Sequence, residues 1–120
     1  MDISNQILSD LTVHMKYAKY LPELSRRETW GELVNRNKAM HVKKFPELED
    51  NINKAYQLVL DKKILPSMRS MQFSGRPIEI SPNRLYNCSY LPIDSIDSFS
   101  ETMFLLLSGC GVGYSVQNHH

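Results

Sequence analysis

The chain has 120 residues, of which 42% are hydrophobic and 22% are charged, and its net charge is +1. This balance argues against a disordered chain, and it provides no basic excess that would suggest a nucleic-acid partner. The longest apolar run, residues 103–107, is far shorter than a membrane span, and the first six residues lack the basic and apolar regions of a signal peptide. We therefore expect a cytoplasmic protein with no membrane partner.

The first 66 residues carry helical patterns. Apolar positions in the first twenty residues are loosely helical and end before Leu21-Pro22. The Ser25-x-x-Glu28 spacing predicts a capping box with Ser25 as the N-cap, followed by a helix that ends at Phe45-Pro46. A second helix is predicted from Pro46, with acidic residues in its first turn. Its expected apolar face consists of Leu48, Ile52, Ala55, Leu58 and Val59.

The pattern changes after Pro66. Glycine and proline punctuate residues 67–83, which predicts loops and short extended pieces. Residues 85–91 are typical of a strand, and a helix is expected to begin at Asp94 or Ser95, with a second capping signal in Ser98-x-x-Glu101. The predicted buried face of that helix comprises Ile96, Phe99, Met103, Leu106 and Leu107.

Gly109 is well placed to end this helix, because glycine accepts the left-handed conformation that follows many helices. A further strand is expected over residues 112–116. Strand, helix and strand in this order form a β-α-β unit, so we expect the two strands to be parallel.

Four strings in the chain are informative together. They are Arg26-Arg27-Glu28-Thr29-Trp30, Leu65-Pro66-Ser67-Met68-Arg69-Ser70-Met71-Gln72-Phe73, Tyr86-Asn87-Cys88-Ser89-Tyr90 and Gly109-Cys110-Gly111-Val112-Gly113-Tyr114-Ser115-Val116-Gln117. Their order and spacing resemble those of the adenosylcobalamin-dependent (class II) ribonucleoside-triphosphate reductases. The resemblance covers nearly the whole chain from about Lys16 onward.

This resemblance implies an α/β fold: a helical amino-terminal region, residues 1–66, followed by the first β-α-β elements of a ten-stranded catalytic barrel, residues 67–120. The family's catalytic subunit is several times longer. We therefore expect this chain to be its amino-terminal segment and to be inactive alone, with His119-His120 at the exit of the second strand.

The resemblance gives Cys88 the role of one of two thiols that supply electrons to the substrate ribose. It implies a ribonucleoside triphosphate substrate, adenosylcobalamin as the cofactor, a thioredoxin-like reductant, and the remainder of the catalytic chain as a partner. No residue of this chain is assigned to the cofactor. A metal site is not expected, because no cysteine or histidine pair has the spacing of zinc ligands.

The resemblance also suggests that residues 67–73 and the turn at residues 109–113 line the nucleotide pocket. Glycines in the turn before the last strand would let the backbone approach ribose and phosphate closely. Asn87 and Ser89 flank the thiol and point to the opposite face of an ideal strand, where a backbone amide could still contact substrate. The expected substrate-binding residues are Ser67, Met68, Asn87, Ser89, Gly109, Gly111 and Gly113.

Several alternatives stay open at this point. An isolated cysteine such as Cys88 is usually a buried small hydrophobe. Cys110 is interpreted as a packing residue, although a Cys88–Cys110 bridge is possible. The radical could come from a metal-containing partner subunit or a glycyl radical, as in other ribonucleotide reductases. The chain could also be a free-standing helical interaction module with a short β appendage.

Overall fold

The computed structural model describes residues 3–117; residues 118–120, including the two histidines expected at the strand exit, lie outside the described part. Six α-helices and four short strands follow one another in the described chain, with a π-helical turn at Val13–Tyr17 and 3₁₀ turns at Pro22–Leu24, Pro46–Leu48 and Pro82–Leu85. The α-helices are α1 (Ile3–Thr12), α2 (Trp30–Lys44), α3 (Glu49–Leu60), α4 (Met68–Phe73), α5 (Arg76–Ile80) and α6 (Asp97–Leu107). The strands are β1 (Tyr20–Leu21), β2 (Arg26–Arg27), β3 (Cys88–Pro92) and β4 (Gly111–Ser115). None of the described helices is long and apolar enough to cross a membrane.

Helix α2 begins one turn later than the predicted capping box. Its N-cap is Thr29, whose side chain accepts a hydrogen bond from the amide of Glu32, while the Glu32 carboxylate accepts from the Thr29 amide. The expected Ser25–Glu28 box is wrong. Ser25 has a left-handed backbone, with φ of 50°, in the turn that joins β1 to β2. The Thr29–Glu32 pair meets the same requirement, a Ser or Thr followed three residues later by Glu, directly before the first residue of α2.

The hydrophobic core forms where α2, α3 and α4 meet. Its fully or nearly fully buried members are Leu33, Val34, Tyr56, Val59 and Met71. The predicted apolar face of α3 is partly wrong, because Leu48 and Leu58 are exposed and Tyr56 is buried instead. Met71 follows residue 66, so this core extends past the proposed boundary between the helical region and the barrel region.

A buried polar cluster connects the same three helices. The Asn37 side-chain nitrogen on α2 donates to the Ser70 carbonyl at 3.0 Å and to its hydroxyl at 2.8 Å, and the Tyr56 hydroxyl on α3 donates to the Asn37 side-chain oxygen. Asn37 is completely buried. Because a buried amide without partners is costly, this cluster favours one specific docking of α4.

A second polar network fixes the chain on either side of α2. Arg36 donates to both carboxylate oxygens of Glu28, at 2.7 and 2.9 Å, and also to the carbonyl and hydroxyl of Ser74. The Lys19 amide donates to Glu28 as well, at 2.9 Å. Burial alone would raise the pKa of Glu28, but the hydrogen bonds and charges of Arg36 and Lys19 hold it below its ordinary value.

Residues 67–83 are mainly helical, contrary to the predicted loops. Ser67 is the N-cap of α4, and its hydroxyl accepts from the Ser70 amide at 3.5 Å. Pro77 and Pro82 each lie in the first turn of a short helix. A backbone N–H at these positions would have no intrahelical acceptor, so its absence in proline costs no hydrogen bond. The residues that indicated loops therefore begin helices of one or two turns.

Strands β3 and β4 are parallel, as predicted, with Cys88 opposite Gly111 and Tyr90 opposite Gly113. Helix α6 connects them, and Gly109 follows it with φ of +84°, which confirms its expected left-handed role. The predicted cap at Ser98 is wrong, because α6 has Ile96 as its N-cap. The Ser98 hydroxyl lies within the first turn and donates to Asp94 at 3.1 Å.

The predicted buried face of α6 is exposed. Ile96 and Leu107 are 87% and 81% exposed, and Phe99, Met103 and Leu106 are also exposed. The less exposed side carries Ser98, Thr102 and Leu105. The apolar pattern of α6 is typical of a face that is buried by packing, but residues 3–117 do not bury it.

The dimensions of the chain agree with this lack of cover. Its radius of gyration is 18.2 Å, whereas a compact domain of this length has about 13.6 Å. Its accessible surface is 8763 Å², compared with roughly 6,700 Å² for a folded monomer of this mass. Many large apolar side chains are exposed, including those of α1 and α6.

Replacing Asn37 should destabilise the chain strongly. Asn37→Ala leaves the Tyr56 hydroxyl and Ser70 without their buried partner, and we expect a loss of about 2–4 kcal/mol in the free energy of unfolding. Urea denaturation followed by circular dichroism measures this loss. Asn53→Ala, at an exposed position of α3, is the matched control and should change stability by less than about 0.5 kcal/mol. Equal effects of the two variants would contradict the role of the polar cluster.

Stability should also fall in acid. The pKa of Glu28 is lower in the folded chain than its ordinary value of 4.5. The unfolded chain therefore binds the proton first, so the stabilisation is present above pH 4.5 and is lost as the pH falls through the folded pKa. Thermal unfolding between pH 7 and pH 3 measures this loss. Glu28→Gln should be less stable at pH 7 and should have a flatter acid limb; an unchanged acid limb would contradict the assignment.

Candidate functional site

The two faces of the β3–β4 pair differ in exposure. Cys88, Tyr90, Gly111 and Gly113 are exposed and share one face, because side chains alternate along a strand and these residues pair in register. Ser89, Leu91 and Val112 are half-buried on the other face. Since α6 contacts both strands, the half-buried face is the one that α6 covers. The Cys88 face is uncovered in the described chain.

The two cysteines point to opposite faces. Both thiols are free, with Cys88 exposed and Cys110 buried. The Cys110 sulfur donates to the Ser89 hydroxyl at 3.4 Å, which fixes it on the covered side. The two thiols therefore form no bridge, in agreement with the interpretation of Cys110 as a packing residue, while the accessible sulfur of Cys88 is unlike a buried small hydrophobe.

The surface beside Cys88 is open because β4 has glycines there. A Cβ on Gly111 would come no closer than 3.5 Å to the Asn87 carbonyl oxygen, and one on Gly113 would stay 3.8 Å from the Tyr90 ring. These are ordinary van der Waals distances, so packing within this chain does not require glycine at either position. The effect of both glycines is to keep the space next to the thiol free of side chains.

The turn before β4 is contacted by Arg69 of α4. The Arg69 guanidinium donates to the Gly109 carbonyl and to the Arg84 carbonyl, each at 3.5 Å. It thus reaches the chain just before β4 and the chain before β3. The sequence did not single out Arg69 as a substrate-binding residue, although Arg69 lies within residues 67–73, the segment expected to line the nucleotide pocket. Its convergence with Gly109 depends on how α4 packs.

The other expected substrate-binding residues are dispersed. Asn87 is exposed, and its carbonyl accepts from the Gly111 amide at 2.8 Å at the start of the strand pair. Ser89 is on the covered face, where its hydroxyl contacts the Gly111 carbonyl at 3.5 Å. Ser67 is exposed at the start of α4, and Met68 lines a different cavity together with Tyr17 and Trp30. The structure thus brings Cys88, Asn87, Gly111 and Gly113 together, with Gly109 next to them, and leaves Met68 with the helices.

Within residues 3–117, no three histidine, cysteine, aspartate or glutamate side chains form a group that could hold a metal ion. The arrangement instead presents one accessible thiol on a rigid strand, beside the side-chain-free positions Gly111 and Gly113 of β4. Such a site can place a sulfur against a small, polar substrate.

Comparison with protein-family models and with curated proteins gives no match. A comparison of structures finds similarity to the crystal structure of a B12-dependent (class II) ribonucleotide reductase. The TM-score is 0.74 and the sequence identity is 25%, over 90% of this chain. The matched region is 20% of that protein, so this chain spans about a fifth of its length.

The fold is therefore a mixed helical and α/β arrangement similar to part of a ribonucleotide reductase. Together with the four sequence strings, this similarity shows that the chain resembles part of a ribonucleotide reductase. The solved protein depends on B12, which agrees with the class that the strings resemble.

The two thiols should differ in reactivity. Iodoacetamide added to the native chain should alkylate Cys88 and should modify Cys110 at least about ten times more slowly, because the buried thiol reacts only when the structure opens. Mass spectrometry of peptides measures both rates. Cys88→Ser should leave only the slow reaction, and denaturant should equalise the two sites. Equal rates without denaturant would contradict the arrangement of the two faces.

Proposed function

We propose that this chain is the amino-terminal segment of a cobalamin-dependent ribonucleotide reductase, with Cys88 as one of its two reducing thiols. The observation that carries the proposal is the exposed thiol on the uncovered face of a parallel strand pair, in a chain with the fold of a reductase segment. The proposed substrates are ribonucleoside triphosphates, and the product serves DNA synthesis.

The chemistry explains why a thiol is needed at this position. Replacing the 2′-hydroxyl of a ribonucleotide by hydrogen requires two electrons. Two thiols supply them by forming a disulfide, while the hydroxyl leaves as water. A thioredoxin-like dithiol then reduces the disulfide by exchange and becomes oxidised itself. Cys88 would provide one sulfur, and the second would come from the remainder of the catalytic chain.

The neighbouring residues support this role. Strand β3 holds the sulfur rigidly, and Gly111 and Gly113 leave room for a ribose to approach it. Asn87 at the strand start, the Gly109 turn and the Ser67 hydroxyl at the start of α4 are proposed contacts of the substrate. Ser89 would act through its backbone, since its side chain lies on the covered face.

The exposed apolar surfaces support a longer polypeptide. In the proposal, β3 and β4 are the first strands of a ten-stranded barrel, and later segments cover the exposed face of α6 and the free edges of the strand pair. A free-standing helical module would instead bury residues such as Phe99 and Leu107, which are 65% and 81% exposed.

Adenosylcobalamin is proposed as the cofactor of the complete protein. When bound, it supplies the radical that starts the reaction. We assign none of the described residues to it, because the resemblance links none of them to the cofactor. A metal-containing partner subunit or a glycyl radical is the alternative source of the radical.

The test uses a complete reductase that contains this segment. Cys88→Ser should reduce formation of deoxyribonucleotide to background with thioredoxin or with dithiothreitol, because one thiol cannot supply two electrons. Chromatography of the nucleotides measures the product. Cys110→Ala is the matched control and should retain most activity, because that sulfur is on the other face. Turnover by Cys88→Ser with dithiothreitol would refute the proposal, and turnover without adenosylcobalamin would assign the protein to another radical class.

A further inference from the structure

A polar cleft of about 420 Å³ lies between α4, the Pro82–Leu85 turn and the end of α6. It contains two arginines and no acidic residue. Its lining residues are Arg69, Phe73, Ser81, Asn83, Arg84, Leu107, Ser108 and Gly109. The cleft is thus positively charged and rich in hydrogen-bond donors.

Neither arginine of the cleft forms an ion pair within residues 3–117, whereas Arg26 pairs with Glu32 and Arg36 with Glu28. A guanidinium has five N–H donors. Arg69 uses only two of them, in bonds of 3.5 Å to carbonyl oxygens, at the long limit for such bonds. The half-buried Arg69 therefore retains donors and an uncompensated charge.

The walls of the cleft are held in place. The Asn83 side-chain nitrogen donates to the Ser108 hydroxyl at 2.9 Å, which ties the Pro82–Leu85 turn to the end of α6. The Arg69 guanidinium lies 5.9 Å from the centre of the Phe73 ring. Helix α4 is itself fixed by the bonds from Asn37 to Ser70. The donors of Arg69 are thus positioned before any ligand arrives, which lowers the entropic cost of binding.

We propose that this cleft binds the phosphate groups of the nucleotide, with Arg69 as the principal ligand and Arg84 as the second. Guanidinium and phosphate form short, charge-assisted and often bidentate hydrogen bonds, which would replace the long bonds to the two carbonyls. Gly109 in the cleft is two residues, or about 7 Å of extended chain, from Gly111, the residue paired with Cys88. Identification of the anion as substrate rests on the proposed function.

Inorganic triphosphate is the first probe. Titrated into the chain and followed by amide NMR shifts, it should give saturable changes at Arg69, Ser108 and Gly109. Arg69→Gln should weaken binding at least about tenfold, since a charge-assisted bond is lost, and Arg84→Gln should weaken it less. Lys54→Gln removes the same charge at an exposed site on α3 and is the matched control, with an expected change below twofold. Absence of saturable shifts, or equal weakening by Arg69→Gln and Lys54→Gln, would overturn the site.

The complete reductase provides the second test. Arg69→Gln should raise KM for the ribonucleotide about tenfold while kcat and the alkylation rate of Cys88 stay near their original values, because the thiol is not moved. A fall in kcat with unchanged KM would overturn phosphate binding. Anion binding requires no turnover, so failure of the Cys88 test would leave the triphosphate result standing, and the two proposals fail separately.

Discussion

The buried side chain of Asn37 connects the helical part of the chain to the candidate site. Its side-chain oxygen accepts a hydrogen bond from the Tyr56 hydroxyl in α3, and its side-chain nitrogen donates two hydrogen bonds to Ser70 in α4. Arg69 is the residue before Ser70, and its guanidinium reaches the turn that leads into β4. The buried Asn37 side chain thus fixes α4, and α4 in turn contacts the turn that begins β4, the strand beside Cys88.

The Glu28–Arg36 pair supports the same arrangement from the other end of α4. Arg36 donates hydrogen bonds to Glu28 and to the carbonyl of Ser74, which directly follows α4. The Glu28 carboxylate also accepts a hydrogen bond from the Lys19 amide, in the segment that precedes β1. A buried charge pair of this kind contributes little net stability, because desolvation offsets most of the attraction. Removing one partner is costly, however, so the pair selects one packing of α4 against α2. Specific placement of α4 is what a site built partly on Arg69 requires.

Local chemistry predicted much of the fold. The helix that ends before Phe45-Pro46, the left-handed Gly109 and the parallel strand pair are consequences of neighbouring residues, and each is present in the structure. The errors arise where contacts with residues distant in sequence determine the local structure or its burial. Glu28 is held by Arg36 and so does not form a capping box with Ser25, and the exposed side of α6 has an apolar pattern that residues 3–117 do not cover. Cys88 was selected through a family resemblance, whereas Arg69 required knowledge of which helix end packs beside which strand.

The opposed orientation of Cys88 and Cys110 has a consequence for disulfide formation. Although the pairing of Cys88 with Gly111 puts the two backbones side by side, the sulfurs lie on opposite faces of the sheet. In this arrangement Cys110 cannot act as the disulfide partner of Cys88. Any disulfide that Cys88 forms must be with a sulfur that approaches over the open glycine surface, from outside the strand pair.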